Sequence, residues 1–405
     1  MTGADHAVVV IGGGQAGLAA SRELRELDVE HTVLERGRAG QTWRDRWDSF
    51  CLVTPNWFVQ LPGQAYDGDE PDGFMPRDEI VAYLERYASD APLQEGVEVH
   101  ALERDRHGWF VVHTSSGDLQ ARAVVVATGA YQRPHRPAAA ATLPDDVAQL
   151  DADDYRTEDA LPPGRVLVVG SGQTGCQITE ELHEAGRDVV LACGRTPWAP
   201  RRIGDHDLVW WVLETGFLDG RVESLPAPAA RLAANVVTTG RAGGHDLHLR
   251  TLQQAGVTLT GRFLGANGRE ARFAPDLGES LAWGDERYAD LMRLVRGLVS
   301  ERGLDEPALP DPEPFDARAP ERVDLRDVGC VLFTSGFRPD YGSWLSWPQA
   351  FDELGFPVHE DGESTEVPGL FFLGVHFLRK RKSSLLGGVG EDAAIVARRV
   401  AARIA

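Results

Sequence analysis

The sequence predicts an α/β protein, because one pattern occurs twice in its 405 residues. Residues 8–17 read VVVIGGGQAG and residues 166–175 read VLVVGSGQTG, so each apolar strand runs into glycines with the spacing G-x-G-x-x-G. A helical pattern and a second apolar strand follow each glycine turn, which completes a β-α-β unit. Two such units predict two Rossmann-like dinucleotide-binding domains.

The first unit is expected to bind an adenine nucleotide with a free ribose. Its expected strand, helix and second strand lie at residues 7–11, about 16–27 and 31–34. Gly12 permits the tight turn, Gly14 lets the backbone approach a pyrophosphate, and Gly17 lets helix and strand pack closely. The second strand ends in Glu35, which can accept hydrogen bonds from ribose hydroxyls and would repel a 2′-phosphate. The unit is therefore predicted to bind FAD or NAD, and not NADP.

The second unit differs after its second strand. Its expected strand, helix and second strand lie at residues 165–169, 177–184 and 188–192, with turn glycines Gly170, Gly172 and Gly175. Where the first unit has Glu35, this unit continues with Arg195, Arg201 and Arg202. A guanidinium can hold a 2′-phosphate through two hydrogen bonds, which predicts NADPH. The alternative is that these arginines only form surface ion pairs.

The remaining apolar segments suggest that the first domain is discontinuous. Residues 123–129, AVVVATG, are expected to form a buried strand leading to the junction of the units, and residues 328–336, VGCVLFTSG, echo that pattern. The late segments, including a strand at 370–375 and a helix at about 391–404, are expected to complete the first unit. The predicted domains are an FAD domain at 1–162, an inserted NADPH domain at 163–318 with a partly helical region at about 200–310, and the second part of the FAD domain at 319–405.

Composition excludes several other classes. The net charge of −21 disfavours nucleic acid and anionic lipid as partners. No apolar stretch is long enough to span a bilayer, and the N-terminal apolar run lacks the features of a secretory signal, so a cytoplasmic protein is expected. The four cysteines contain no C-x-x-C pair and are expected to be small buried hydrophobic residues. The histidines at 206, 245 and 248 have no metal-ligand spacing, so no metal is predicted.

Several motifs resemble the class B flavoprotein monooxygenase-like group, which includes flavin-containing monooxygenases, YUCCA-type enzymes and Baeyer–Villiger monooxygenases. They are VVVIGGGQAG with Glu35, GQTWRDRWDSF, LVTPNWFVQLP, MPRDEIVAYLERYA, VVVATG, VLVVGSGQTGCQI with Arg195, and LLGGVGEDAA. The resemblance implies a disulfide-reductase-like fold with two dinucleotide-binding domains, in which NADPH reduces FAD. The reduced flavin would then capture O2 as a C4a-(hydro)peroxyflavin, so neither a protein nucleophile nor a metal is needed.

The resemblance also supplies candidate site residues. The predicted cofactor-binding residues are Gly12, Gly14, Gln15, Ala16, Gly17, Glu35, Arg36, Gln41, Trp43, Val99, Thr128, Gly129, Gly170, Gly172, Gln173, Thr174, Gly175, Arg195, Gly336 and Leu386. Trp43 is also predicted to be catalytic, since it matches the aromatic residue of the family's turn beside the flavin. Asn56 is the second predicted catalytic residue, near flavin N5. The alternative for Asn56 is a turn asparagine bonded to local backbone.

The sequence departs from the family pattern in the turn at Gln41 and in the identifying motif, and it also contains an unusual basic segment. Gln41 replaces the second glycine of the family's GG-x-W turn, which would add a side-chain contact to FAD. Of the identifying motif F-x-G-x-x-x-H-x-x-x-Y only Tyr155 survives, because Asp145, Val147 and Asp151 occupy the other positions. Residues 379–382 are four consecutive cations, which predict either an anion site near the flavin or a solvated turn paired with acids.

These observations predict an FAD-dependent, NADPH-using, single-component monooxygenase. The expected partners are O2 and a small metabolite, oxygenated at nitrogen or sulfur or, for a ketone or 2-oxo acid, at carbon. The sequence leaves open whether the chain forms a homo-oligomer. One alternative is an NADPH-dependent flavin reductase or oxidase that releases H2O2, and another is a non-catalytic FAD-binding redox sensor.

Overall fold

The computed structural model describes residues 6–405. Within them the α-helices are α1 (Gln15–Glu26), α2 (Gln41–Arg44), α3 (Arg77–Ala88), α4 (Gln173–Glu184), α5 (Leu208–Glu214), α6 (Leu249–Ala255), α7 (Leu277–Arg302) and α8 (Val389–Ile404). The strands are β1 (His6–Ile11), β2 (His31–Glu35), β3 (Gln60–Leu61), β4 (Gln64–Ala65), β5 (Leu93–Glu95), β6 (Val99–Arg104), β7 (Phe110–Thr114), β8 (Gly117–Val126), β9 (Arg133–Pro134), β10 (Ala148–Asp151), β11 (Arg165–Val169), β12 (Val189–Ala192), β13 (Arg202–Ile203), β14 (His206–Asp207), β15 (Thr258–Thr260), β16 (Phe263–Asn267), β17 (Glu270–Phe273), β18 (Arg322–Asp324), β19 (Val328–Phe333), β20 (Phe337–Arg338), β21 (His359–Glu360), β22 (Glu363–Ser364) and β23 (Leu370–Phe372).

Two sheets carry the fold, and four neighbouring strands of each parallel core have the same order, β8-β1-β2-β5 and β19-β11-β12-β15. In the first sheet the strands run β23-β8-β1-β2-β5, with β21 and β22 beyond β23 and the antiparallel hairpin β6-β7 attached to β8. In the second sheet they run β10-β19-β11-β12-β15. All neighbours in these five-strand cores are parallel. The predicted α/β class with two Rossmann-like units is confirmed.

The central strands are apolar because parallel sheets are covered on both faces. Val8, Val9 and Val10 of β1 are fully buried, as are Val166 and Leu167 of β11. In the first unit, helices α1 and α8 pack against each other beside the sheet. The C-terminal helix therefore belongs to the first unit, as the sequence predicts, although its first turn begins at Val389.

The position of β19 corrects one sequence-based prediction. Residues 328–336 were expected to complete the first unit, but β19 pairs with β11 and β10 in the second sheet. It occupies there the place that β8 holds beside β1 in the first sheet, which explains why its sequence echoes AVVVATG. Strand β10 likewise belongs to the second sheet, although residues 148–151 fall inside the predicted first part of the FAD domain.

The chain crosses between the sheets twice, after β8 and after β19. The two crossing segments pair with each other, because β9 and β20 form a short antiparallel ribbon. This ribbon joins the first and second units close to the C-terminal ends of β8 and β19. In open parallel sheets, ligands bind at that end of the strands.

The middle region forms its own apolar cluster. Helices α5 and α7 contribute Trp211 and Leu291 among others, and Phe58 of the first unit joins the same cluster. Helix α7 runs from Leu277 to Arg302, and the Asp285 carboxylate accepts hydrogen bonds from Arg250 and Trp198. Among residues 6–405, no helix combines the length and apolar character needed to cross a membrane.

Candidate functional site

The first glycine-rich loop leaves no room for side chains except at the place predicted for a phosphate. A Cβ on Gly12, which has a φ of 111°, would lie 2.7 Å from the Ala127 carbonyl oxygen. A Cβ on Gly17 would lie 1.8 Å from the Gly12 carbonyl oxygen. Around Gly14, in contrast, a Cβ would meet nothing within 4 Å. Helix α1 starts immediately afterwards without a side-chain cap or an acid in its first turn, so its N-terminus fits a pyrophosphate.

Glu35 fixes the shape of this loop. It is buried at the end of β2, and its two carboxylate oxygens accept hydrogen bonds from the Gly13 and Gly37 backbone N–H groups at 2.7 and 2.8 Å. A carboxylate oxygen can accept more than one hydrogen bond, so a ribose contact stays a prediction. Arg36, which follows it, is exposed.

The neighbouring segment shows which valine lies closest to this strand end. The Val97 N–H donates to the Glu35 carbonyl oxygen at 2.9 Å. The predicted residue Val99 instead opens the hairpin strand β6 and pairs with Thr114. Sequence reasoning missed Val97, because periodicity alone does not fix which residue of a short connection meets a neighbouring strand.

Gln15, the first residue of α1, joins three distant segments. Its side-chain oxygen accepts from Trp43 Nε1 at 2.7 Å, and its Nε2 donates to the Ser384 carbonyl oxygen at 3.0 Å. Ala16 packs closely on Gly374: a Cβ added to Gly374 would lie 2.5 Å from the Cβ of Ala16. The structure therefore brings the predicted residues Gln15, Ala16 and Trp43 together with the segment that precedes α8.

Two other predicted residues lie at the edges of this arrangement. Leu386 is buried, and a Cβ on the adjacent Gly387 would lie 2.2 Å from the Phe58 carbonyl oxygen. The Gln41 amide accepts from the Arg38 N–H and donates to Asp45, so both of its ends bond within its own turn. The expected contact between Gln41 and FAD has no support in this geometry.

The turn after β8 lies across the first loop. Gly129 has a φ of 70°, and its carbonyl oxygen accepts from the Tyr341 hydroxyl at 2.6 Å. The Thr128 hydroxyl accepts from Gln132 Nε2 at 2.8 Å. Because the Ala127 carbonyl lies against Gly12, the conformation of this turn depends on that of the glycine-rich loop.

The second glycine-rich loop repeats the first in detail. Gly170 has a φ of 118°, and a Cβ on it would lie 2.8 Å from the Thr334 carbonyl. A Cβ on Gly175 would lie 1.9 Å from the Gly170 carbonyl oxygen, whereas one on Gly172 would have only the Ala234 side chain nearby, at 3.6 Å. Helix α4 opens without a side-chain cap or an acid in its first turn. This N-terminus also fits a pyrophosphate.

Side chains around the second loop hold it in place. The Gln173 side chain bonds to both backbone groups of Thr238, in the middle region, as Gln15 bonds to remote segments in the first unit. Thr174 is half-buried in the first turn of α4. Gly336, with a φ of 85°, ends the turn after β19, the counterpart of the turn at Gly129.

The end of β12 carries no acid. Ser171 Oγ accepts from the Gly194 N–H at 3.0 Å and lies 2.8 Å from Thr196 Oγ1, which closes this strand end with neutral groups. Cys193 is fully buried. Arg195 is exposed between Gly194 and Thr196, and no ion pair joins it to another residue in the described part of the chain. Its guanidinium is free to meet an anion beside the second loop.

The expectation that Arg201 joins Arg195 is wrong. Arg201 is only 2% exposed and forms an ion pair with Asp207 at 2.8 Å. It also donates to the Val53 carbonyl oxygen and to Thr238, and its guanidinium lies over the Phe74 ring. Successive side chains of an extended segment point in opposite directions, so Arg202 is exposed whereas Arg201 is buried.

Asn56 bonds to nearby backbone, which was the alternative to a catalytic role. Its amide nitrogen donates to the Glu70 carbonyl oxygen at 2.9 Å, and its amide oxygen accepts from the Met75 N–H at 2.7 Å. The side chain is buried. Asn56 therefore holds the backbone of residues 70–75, and we assign it no catalytic role.

The basic run at residues 379–382 is largely paired. Arg379 contacts Asp361 and Asp392, while Lys380 and Lys382 both contact Asp219 and Glu391. For these three cations the structure supports the paired turn, although Lys382 is buried and not solvated. Arg381 is the exception, because its guanidinium lies over the rings of Phe217 and Phe377.

Sequence reasoning missed the network that joins the two units behind the site. Tyr155, the surviving residue of the identifying motif, donates to Glu181 of α4 at 2.8 Å, and Ser49 donates to the other oxygen of the same carboxylate. Trp47 packs on Tyr155. The turn after Trp43 is thus docked on the helix that follows the second loop.

Three further residues around the junction were also missed. Tyr131 is 49% exposed, and the protein packed around it raises its pKa by desolvation. Its ring stacks on His376 with centroids 5.2 Å apart, and burial lowers the pKa of His376 to about 4. Burial also lowers the pKa of Arg46, against the opposing effect of Asp153.

The histidines and cysteines have ordinary structural roles. His206 stacks on Trp210, His245 pairs with Glu180, and His248 caps helix α6. In the part of the chain that the structure describes, no three His, Cys, Asp or Glu side chains converge in a way that could hold a metal ion. The cysteines are buried and unpaired, as predicted.

Comparison with known proteins agrees with this architecture. Residues 9–212 match the model of the family described as pyridine nucleotide-disulphide oxidoreductase. A CzcO-like oxidoreductase from Geobacillus kaustophilus is 33% identical over 391 residues, which cover 95% of each chain. An indole-3-pyruvate monooxygenase, YUCCA1 of Oryza sativa subsp. japonica, is 32% identical over 184 residues, covering 44% of this chain and 45% of the relative. A double mutant of a flavin monooxygenase from Stenotrophomonas maltophilia shares the fold over 100% of both chains, with a TM-score of 0.70 and 21% identity.

Proposed function

Because the chain belongs to the pyridine nucleotide-disulphide oxidoreductase family, we propose that it is an FAD-dependent, NADPH-using monooxygenase of a small metabolite. It is an oxidoreductase related to the class B flavin monooxygenases, in a family that binds FAD and NAD(P)H. The monooxygenase activity and the choice of NADPH are the proposed steps.

One observation carries the proposal: the chain holds two pyrophosphate cradles that end in opposite charges. Glu35 closes the first strand end and would repel a 2′-phosphate. Exposed Arg195 follows the second strand end, where a neutral serine takes over the role of the acid. A protein with one cofactor would need only one of these cradles. Two cradles support an electron donor and an electron acceptor in one molecule.

In this proposal the protein binds and orients the reactants, and the cofactor supplies the redox chemistry. FAD, when bound, supplies hydride acceptance from NADPH and reactivity with O2. The N–H groups at the start of α1 would hold its pyrophosphate, and the hydrogen bonds that join Gln15 to Trp43 and Ser384 would fix the walls of the site. The ribbon of β9 and β20 and the Tyr155–Glu181 bond hold the two units at a fixed separation.

Product analysis under turnover tests this function. The FAD-loaded protein would be mixed with NADPH and O2 together with amines, thioethers, ketones or 2-oxo acids, and NADPH consumption would be compared with oxygenated product and H2O2. We expect a substrate for which product equals NADPH consumed, with one oxygen atom from 18O2 in the product. NADPH consumption matched only by peroxide, for every substrate class, would contradict a monooxygenase.

The second candidate is an NADPH oxidase that releases H2O2. It is favoured by the altered identifying motif, in which Asp145, Val147 and Asp151 stand at the aromatic, glycine and histidine positions. Peroxide in full stoichiometric yield would support it. A third outcome, absence of flavin bleaching by NADPH without oxygen, would instead indicate the non-catalytic sensor.

A further inference from the structure

Arg381 is a cation that the fold fixes in place but leaves without an anion. Its guanidinium lies over the Phe217 ring at 4.3 Å and over the Phe377 ring at 4.7 Å. Among residues 6–405, no ion pair or hydrogen bond joins that guanidinium to another residue, and its Nε is buried without a partner. The neighbouring cations Arg379, Lys380 and Lys382 all pair with carboxylates.

The surroundings keep this charge in a defined position. The Arg381 N–H donates to the Gly220 carbonyl oxygen at 2.8 Å, and Lys380 and Lys382 on either side contact Asp219. The turn is thereby fixed to the middle region. Phe377 has a φ of 56°, a backbone conformation that bulky residues rarely adopt and that is kept where the surroundings enforce it. Strained residues of this kind concentrate at functional sites.

The energetics favour a ligand at this position. Burial lowers the pKa of Arg381, which means that its charged form is poorly solvated. A desolvated cation without a counterion is costly, so an anion placed against it is bound more strongly than it would be in water. The planar guanidinium presents paired N–H donors that match a carboxylate, and the aromatic rings on its faces leave its edge for that contact.

The turn also lies beside the predicted flavin site. Ser384, three residues further on, bonds to Gln15 of the first glycine-rich loop, and Leu386 lies in the segment that opens α8. From these observations we propose that Arg381 binds the carboxylate of the organic substrate, which makes carboxylic acids the substrate class. This proposal rests on the proposed monooxygenase function, because only that function makes the bound carboxylic acid a substrate. The binding itself is measurable without turnover.

Binding of benzoate to the oxidised, FAD-loaded protein tests the proposal, with benzamide as a neutral ligand of the same shape. Affinity would be measured by calorimetry and by the change in flavin absorbance. We expect saturable benzoate binding to the wild type, and weaker binding by about tenfold or more in Arg381→Gln, the loss that one charge-assisted hydrogen bond produces. Benzamide binding should be the same in both proteins.

Matched variants separate this effect from general damage. Arg398→Gln removes an exposed arginine from helix α8, outside the turn that holds Arg381, and should leave benzoate binding unchanged. If Arg381→Gln loses its flavin, Arg381→Lys keeps the charge but not the planar fork, and it should still bind benzoate more weakly than the wild type. Inorganic phosphate and NADP+ form a second arm, in which we expect equal affinities in the wild type and Arg381→Gln.

The outcomes are distinct. Absence of saturable benzoate binding to the wild type, equal benzoate affinity in Arg381→Gln, or an equal loss for benzamide would overturn the proposal. A loss confined to phosphate or NADP+ would also overturn it and assign Arg381 to the nucleotide. Selective loss of benzoate binding in a protein that forms only peroxide would support the Arg381 site and contradict the monooxygenase function.

Discussion

The two glycine-rich loops share one backbone plan, although they lie far apart in the sequence. Gly12 and Gly170 have φ values of 111° and 118°, and the third glycine of each loop would place a Cβ 1.8 or 1.9 Å from the carbonyl oxygen of the first. Each loop is crossed by the turn after a neighbouring parallel strand. Because a pyrophosphate makes the same demands in both units, the shared geometry is the part that does not distinguish nucleotides.

The loops differ at the end of the second strand. The Gly12 N–H donates to Leu34 and the Gly170 N–H donates to Ala192, so Glu35 and Cys193 are structurally equivalent. In the first unit the strand end supplies the side chain of Glu35. The loop has Gly13 opposite it, where an added Cβ would lie 2.8 Å from the Glu35 side chain. In the second unit the loop supplies the side chain, because Ser171 Oγ accepts a hydrogen bond from the Gly194 N–H just after the strand end.

Under the proposed function, this difference would let one chain bind two different nucleotides, each at its own site. The exchange of Glu35 and glycine for cysteine and serine removes a carboxylate from the second site and retains a hydrogen bond in its place. Arg195 then provides the charge outside the strand end, where a 2′-phosphate can reach it. We therefore expect nucleotide choice to depend on a few side chains at the strand ends, and the shape of each glycine-rich loop to depend on the backbone.

The largest expected effect comes from the third glycines. Gly17→Ala and Gly175→Ala each place a methyl group within 2 Å of a carbonyl oxygen, so helix and strand must separate. We expect a loss of about 3 kcal/mol or more in the free energy of unfolding, since backbone cannot move aside as a flexible side chain can. Gly17→Ala should lose FAD, whereas Gly175→Ala should keep FAD but lose reduction by NADPH. Thermal denaturation and flavin content measure both.

Gly14→Ala and Gly172→Ala are the matched controls. Both positions have extended backbone angles that alanine tolerates, and the space around each Cβ is open or nearly so. The unfolding temperature should stay close to that of the wild type, while affinity for the corresponding nucleotide falls because the backbone can no longer approach a phosphate. A stability loss as large as that of Gly17→Ala would contradict the inference that Gly14 and Gly172 serve phosphate approach and not packing.

The next effect concerns Glu35. Glu35→Ala leaves the Gly13 and Gly37 N–H groups without their acceptor, and a buried unpaired donor costs about 1 to 3 kcal/mol. We expect destabilisation by about 2 to 4 kcal/mol together with loss of FAD. Denaturant unfolding of the FAD-free protein isolates the structural part. Unchanged stability there would show that the carboxylate serves the ligand alone.

Local patterns in the sequence were sufficient for both glycine-rich turns and for the acid at the end of β2, because each depends on residues close together in the chain. They were insufficient for β19, whose apolar sequence suits either sheet and whose place is decided by pairing with β11. Arg201 was misassigned for a related reason. Asp207, Val53 and Thr238, which enclose it, come from separate segments. Asn56 was ambiguous until its backbone partners were known.

A moderate effect is expected for Arg195. Arg195→Ala should weaken NADPH binding by about 1.5 to 3 kcal/mol, the contribution of a charged hydrogen bond, and leave NADH binding unchanged. Anaerobic flavin reduction at varied NADPH and NADH concentrations gives the ratio. Arg296→Ala, which removes an exposed arginine from helix α7, is the control and should keep the wild-type ratio. An unchanged ratio in Arg195→Ala would assign the 2′-phosphate to another residue.

The smallest effect tests the exchange between Glu35 and Ser171. Ser171→Ala removes the acceptor of the Gly194 N–H and the bond to Thr196, both neutral contacts. We expect destabilisation by about 1 kcal/mol, less than for Glu35→Ala, because a neutral hydrogen bond contributes less than one to a charged group. Since Gly194 precedes Arg195, loosening of this turn should also reduce NADPH preference slightly, while FAD content stays unchanged. If Ser171→Ala destabilised the protein as much as Glu35→Ala, the two strand ends would contribute equally to the free energy of unfolding. The charge of Glu35 would then add no stability beyond that of a neutral hydrogen bond.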